Sequence, residues 1–238
     1  MPRIELVMAQ FGARADELEP TLSSFTKFFP EASVTLYTDR VLSQPPAIVN
    51  VQLVEPPFSP THERYGWRCS DYYKAYGLLT SSAEVAIAVD CDMYIVSDEV
   101  RAIIPLTLRF GLCLPANPRL LVKRDTAIGT DSDGVLDITL GCGFAVNSTP
   151  ISFHTRHRAA GRFLEQFISQ MASNPVRAPL ALWRACWSSG FLPYVLPFQW
   201  CVCHEHIGIG NEIILHLGHA EVRDFYLPLV MGSTVGRP

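Results

Sequence analysis

No apolar stretch in this 238-residue chain approaches the eighteen or so residues that a membrane-spanning helix needs. Met1 to Gly12 alternates charged and apolar residues too closely to form the apolar core of a secretory signal, so the sequence predicts neither a span nor a leader and is read as cytoplasmic. Basic residues are also scarce: 19 Lys and Arg against 23 Asp and Glu leave a formal net charge of -4, which supplies no broad positive field for nucleic acid. Seven cysteines without a Cys-x-x-Cys pair argue against a disulfide framework in a chain this long. Internal repeats, low-complexity tracts and linker-like segments are missing as well, which argues for one domain over residues 1–238.

With 48% hydrophobic and 18% charged residues, the composition is that of a globular protein able to bury roughly 70 to 75% of its surface on folding. The most informative segment is Val85 to Val96, an apolar run with Asp90 and Asp92 in its middle. A continuous run of β-branched and small apolar residues is the pattern of a strand buried on both faces, and residues i and i+2 of a strand share a side. Two acids therefore converge where the strand leaves the sheet. Like charges brought together and partly desolvated need a cation, hydrogen bonds or protonation, and a divalent cation such as Mn²⁺ or Mg²⁺ is the simplest compensator.

Around this segment the pattern alternates strand and helix. Strands are predicted at Ile4–Ala9, Val34–Tyr37 and Val49–Val54, and helices over Ala15–Phe29 and Ser70–Leu79, the arrangement of βαβ units in an α/β protein. Ser97-Asp98-Glu99 resembles a helix start. Arg119–Asp137 is polar and glycine-containing and is read as a mobile loop, followed by strand character over Ile138–Val146 around Gly141-Cys142-Gly143. Arg162–Met171 is an amphipathic helix, and the last third alternates Pro179–Trp187 (helix), Phe191–Leu196 and Glu212–Leu217 (strands). The cluster Cys201-Val202-Cys203-His204-Glu205-His206 holds four soft ligands in six residues, yet it lacks zinc-finger or zincin spacing and a second half elsewhere in the sequence.

Taken in order, these features resemble the nucleotide-sugar-dependent glycosyltransferases of the GT-A fold, especially the glycogenin and galactosyltransferase-like branch, from about Ile4 to Tyr226. Asp90-Cys91-Asp92 is similar to the family's Asp-x-Asp metal motif, and Lys74 precedes it by the spacing of a donor-binding lysine. Gly141-Cys142-Gly143-Phe144-Ala145-Val146-Asn147 resembles the Asn-Ser-Gly-hydrophobic segment beneath the sugar, with glycine at the asparagine position. Ile214-Leu215-His216-Leu217-Gly218 resembles the late His-x-x-Gly-x-x-Lys motif, shortened by one residue, with Arg223 the substitute for its lysine.

The resemblance implies a Rossmann-like α/β domain with a mixed central sheet flanked by helices, a nucleotide-binding half at about 1–97 and an acceptor-side half at about 98–238. It also implies Asp90, Asp92 and His216 as metal ligands. Asp90, Asp92 and Lys74 would carry the chemistry, and Ala9, Gln10, Phe11, Asp39, Lys74, Asp90, Cys91, Gly141, Cys142, Gly143 and Gly218 would contact the donor. The expected reaction moves a sugar from a nucleoside-diphosphate sugar, UDP favoured, to an unassigned sugar, protein or lipid acceptor, with retention. An inverting reaction would need a base, for which Asp131, Asp133, Asp137 and Glu205 are the candidates. Two rival readings share the Asp pair. One is a haloacid-dehalogenase-like phosphatase with Asp90 as nucleophile, whose motif belongs on the first strand, whereas a βα-rich half precedes it here. The other is an inactive homologue that binds nucleotide without turnover.

Overall fold

In a computed structural model of the chain, the described residues are 2–11, 18–42, 46–61, 65–117, 146–173 and 178–232. The first half alternates β1 (Ile4–Gln10), α1 (Leu18–Phe28), β2 (Ser33–Thr38), β3 (Val49–Leu53), α2 (Tyr65–Thr80) and β4 (Val85–Val89). A short β5 (Met93–Ile95) follows, then a 3₁₀ turn at Asp98–Ala102, α3 (Ile103–Phe110) and β6 (Leu112–Pro115). The remainder comprises β7 (Ile151–His154), α4 (Arg158–Ser173), α5 (Ala178–Ser189), β8 (Tyr194–Leu196), 3₁₀ turns at Phe198–Trp200 and His204–His206, β9 (Ile214–His216) and α6 (Ala220–Gly232). No described helix is long and apolar enough to cross a membrane.

Seven strands form one sheet in the order β3-β2-β1-β4-β7-β6-β8. The strands β3, β2, β1 and β4 are parallel, β7 runs antiparallel to both β4 and β6, and β8 is parallel to β6, so the sheet is mixed as expected. Alternation along the central strands feeds two layers. Leu6 and Met8 of β1 with Val85, Ile87 and Val89 of β4 face α1, packing on Leu18, Leu22 and Phe25. Val7, Ala86 and Ala88 face the other way, against Ala75 and Leu78 of α2 and Phe163, Leu164 and Phe167 of α4. The small alanines at 86 and 88 let the helical layer approach that face closely.

The approach is closest at Gly77 of α2, where a Cβ would lie 2.5 Å from Val7 Cγ1 and 2.7 Å from Tyr37 Cε2. Val7 is fully buried and has no direction in which to yield. Gly77→Ala is therefore expected to cost about 1–3 kcal/mol by overpacking, despite the better helix propensity of alanine, and a urea titration measures it.

Several elements differ from the sequence expectation. The helix predicted over Ser70–Leu79 begins five residues earlier, at Tyr65, and strand β8 starts at Tyr194 rather than Phe191. Strands β6 and β7, four residues each, carry no sequence signal long enough to separate them from their neighbours. Val85–Val96 is not one strand: β4 ends at Val89, Asp90 to Asp92 form a turn, and β5 joins a separate two-stranded sheet with β9. Ser97 does cap a helical start, its hydroxyl accepting from the Glu99 amide. Within Ile138–Val146, Val146 alone is described, as a bridge partner of Ala116; the predicted loop at 119–137 lies outside the described residues.

Candidate active site

The turn Asp90-Cys91-Asp92 is fixed by its backbone from three sides. The Asp90 amide donates to Thr149 Oγ1 at 3.0 Å, Thr21 Oγ1 donates to the Cys91 carbonyl at 2.6 Å, and the Leu217 amide donates to the Asp92 carbonyl at 2.8 Å. Buried backbone groups are thus satisfied without an extended strand, and the two side chains converge from the turn. Pairing of β5 with β9 sets Met93 opposite His216, which carries the imidazole to the acid next in sequence. His216 Nε2 lies 3.3 Å from Asp92 Oδ1 and 4.0 Å from Asp90 Oδ2. One ligand atom from each of Asp90, Asp92 and His216 lies within 4.8 Å of the other two.

Lys74 enters from α2 and is 1% exposed. Its ammonium donates to Asp90 Oδ1 in a short contact, to the Ser148 carbonyl at 3.2 Å, and lies 2.9 Å from Asp71 Oδ1 one helical turn away. Burial alone would push this lysine toward neutrality, but the carboxylates of Asp71 and Asp90 more than reverse that and hold it charged. Burial likewise raises Asp90, and the neighbouring Asp92 adds to the rise against the opposing pull of Lys74. Asp92 ends below its usual value, because His216 overcomes the effect of burial; His216 correspondingly ends well above its own, against burial, through Asp92. Asp71 escaped the sequence reading, although an acid at i−3 from a buried lysine is the signal that could have found it.

Gly218 follows β9, and the Asp92 carboxylate packs directly against it. A Cβ there would lie 2.0 Å from Asp92 Oδ2, 2.9 Å from its Cγ and 3.5 Å from His216 Nε2. Two carboxylates and one imidazole beside that cradle fit a divalent cation such as Mn²⁺.

The residues expected at the nucleobase end lie along the same sheet edge. Ala9, Gln10 and Phe11 close β1 beside the end of β4, and all three are buried. Phe11 stacks on Tyr73 with centroids 5.2 Å apart, and Tyr73 stacks on Tyr37 at 5.5 Å. Asp39 follows β2; among the described residues its buried Oδ1 accepts no hydrogen bond, and Arg40 Nε stands 3.7 Å from it. Cys91 turns its thiol toward the Ala9 carbonyl, at 3.8 Å, and packs on the core beneath the turn. Gly141, Cys142 and Gly143, together with the candidate bases Asp131, Asp133 and Asp137, lie outside the described residues. Glu205 sits in the 3₁₀ turn at His204–His206, its carboxylate 2.8 Å from His204 Nε2.

On the far side of His216 stand two buried thiols. Cys201 Sγ lies 4.0 Å from both Cys203 Sγ and His216 Nδ1. Cys203 is drawn far below the usual thiol range, first by Cys201 and then by His216 and His219, while Cys201 is pushed up. The sequence cluster around Cys201 therefore has a second part, contributed by His216 of β9.

No protein-family model and no curated protein matches this chain. Solved structures do. The apo bifunctional glycosyltransferase WbbM superposes with a TM-score of 0.66 at 11% identity over 96% of this chain, which spans half of the WbbM chain. The galactosyltransferase LgtC, in complex with donor and acceptor sugar analogues, superposes at 0.59 and 11% identity over 98% of this chain and 97% of its own. Mouse xyloside xylosyltransferase 1 follows at 0.51 and 12% identity, over 91% of this chain and 97% of its own. The fold is that of the GT-A glycosyltransferases, as the sequence resemblance implied.

Proposed function

We propose that the chain is a divalent-cation-dependent glycosyltransferase that takes a sugar from a nucleoside-diphosphate donor, UDP-linked by preference, and transfers it with retention to a sugar, protein or lipid acceptor. The observation that carries this reading is the convergence of Asp90 and Asp92, from the turn after β4, with His216 of β9, in a GT-A fold. Ligands of α/β sheets bind at that edge, which favours residues 1–97 as the donor half and 98–238 as the acceptor half.

Asp90, Asp92 and His216 would hold Mn²⁺ or Mg²⁺. The cation, when bound, neutralises charge developing on the departing nucleoside diphosphate. Lys74 fixes the Asp90 carboxylate through Oδ1 and leaves Oδ2 on the His216 side. The Asp39 oxygen offers an acceptor to a base N–H beside the Phe11, Tyr73 and Tyr37 stack, a contact that the N3–H of uracil can make. The phosphatase reading has less support, because Asp90 follows the fourth strand in chain order and its Oδ1 is engaged by Lys74.

A donor-hydrolysis panel across UDP, GDP and CMP sugars with Mn²⁺ tests the proposal. Turnover of a UDP sugar that a chelator stops is the expected result. Phosphoenzyme formation at Asp90 would establish the phosphatase instead, and cation-dependent UDP binding without turnover of any donor would establish the inactive homologue. Gly218→Ala offers a finer test. The intruding methyl displaces the end of the Asp92 side chain rather than backbone, so stability should change by less than about 1 kcal/mol. Displacing a ligand oxygen on the ångström scale should lower cation-dependent turnover about 10- to 100-fold. A variant with unchanged turnover would remove Asp92 Oδ2 from the site.

A further inference from the structure

We propose that Cys201, Cys203 and His216 form a zinc site on the opposite side of the His216 ring from the Asp pair. The site goes beyond the glycosyltransferase reading and does not depend on it. At Zn–S and Zn–N bond lengths of about 2.3 and 2.0–2.1 Å, ligand atoms of a tetrahedral site stand roughly 3.5–3.8 Å apart. Cys201 Sγ is 4.0 Å from Cys203 Sγ and 4.0 Å from His216 Nδ1, and the three ligand atoms all fall within 4.8 Å of one another. A contraction of a few tenths of an ångström brings the two 4.0 Å pairs to that spacing, and one of up to about an ångström closes the third. His219 stands beside this set rather than in it, its ring edge-on to that of His216 with centroids 4.8 Å apart and its Nδ1 turned to His204 Nδ1 at 3.4 Å, so the fourth position is left to water or an exogenous ligand.

The surroundings match those of a zinc ligand set. Cys201 is fully buried and Cys203 nearly so, which protects a thiolate centre from solvent. Zinc-bound histidines commonly direct their other nitrogen at a carboxylate, which fixes the tautomer; His216 Nε2 faces Asp92 Oδ1 at 3.3 Å. The Cys-x-Cys pair and His216 come from separate segments, tied by the bridge between Val202 and Leu215 of β9, so the ion staples the 201–203 segment to the strand that positions His216. A neutral imidazole has one lone pair, so His216 serves zinc through Nδ1 or the hard cation through Nε2, and loading one ion weakens the other by the same factor.

The experiment uses the full chain, reduced, stripped with chelator and titrated with Co²⁺ and then Zn²⁺. One equivalent of Co²⁺ should produce an intense thiolate-to-cobalt charge-transfer band, and one equivalent of Zn²⁺ should abolish it. Cys201→Ser and Cys203→Ser should each weaken zinc binding by more than the 10- to 100-fold typical of losing an outer partner, with circular dichroism confirming the fold. Asp92→Asn, which removes such an outer partner, should keep the band. No charge-transfer band in the wild-type protein would overturn the proposal regardless of how the variants fold. So would zinc that persists in Cys203→Ser and disappears in Asp92→Asn, or two thiols lost to a disulfide in air while Zn²⁺ is present.

Discussion

Asp92→Asn should reduce sugar transfer or donor hydrolysis by at least about 100-fold, the scale seen when one preorganised electrostatic group is removed from a transition state. The substitution keeps the shape of the side chain and leaves the Leu217 amide bonded to the residue 92 carbonyl, so the turn should persist. What changes is charge. Burial works against the Asp92 carboxylate and His216 stabilises it, and the asparagine amide reproduces neither the charge nor the ion pair. A thermal melt separates this from misfolding. In the wild-type protein, UDP with Mn²⁺ at about 100 times their dissociation constant should add about 2.7 kcal/mol of stability, and that increment should vanish in the variant. An Mn²⁺-dependent shift that survives in Asp92→Asn would take Asp92 out of the cation site.

The second large effect is structural. Lys74→Met should cost about 3 kcal/mol of folding stability at neutral pH, because it leaves Asp71 and Asp90 beside a buried apolar side chain without their cation. The low end of the usual range applies, since the Asp90 side chain remains 26% exposed to water. The sign of the pH dependence distinguishes this from lost packing. Burial raises the Asp90 carboxyl above the usual carboxylate range even with Lys74 present, and without the ammonium it rises further. A carboxyl raised in the folded state favours folding below its unfolded value and loses that contribution as pH climbs through the folded one. The penalty in Lys74→Met should therefore be full at neutral pH and shrink as pH falls toward 4. Urea titrations at two pH values read it directly. A penalty independent of pH would mean that Lys74 acts through packing alone.

These two residues also show how far the sequence could be read. Lys74 was implied only by the family resemblance, whereas Asp90 and Asp92 stand out because an apolar run interrupted by acids is a local pattern. The first four strands of the main sheet were legible for the same reason: long apolar runs with turn residues between them have few alternatives. Strands β6 and β7 were not, since four-residue segments gain their strand character from neighbours that the sequence does not place beside them. The acids were read as sharing a strand face, yet they converge from a turn, because hydrogen bonds from Thr21 and Leu217 and to Thr149 replace the ladder there.

The Cys201 cluster marks the boundary most clearly. By spacing alone it had no second half, and its partner His216 belongs to it only through β9 and the bridge to Val202. The same strand delivers His216 to the Asp pair. By itself, the sequence determined which strand ends in two acids and that a cation is the natural compensator, since those follow from periodicity and charge. The tertiary structure alone decided that one imidazole would stand between the carboxylates and the thiols, because pairing of β5 with β9 is a contact between distant segments and distance in space is not written in local pattern.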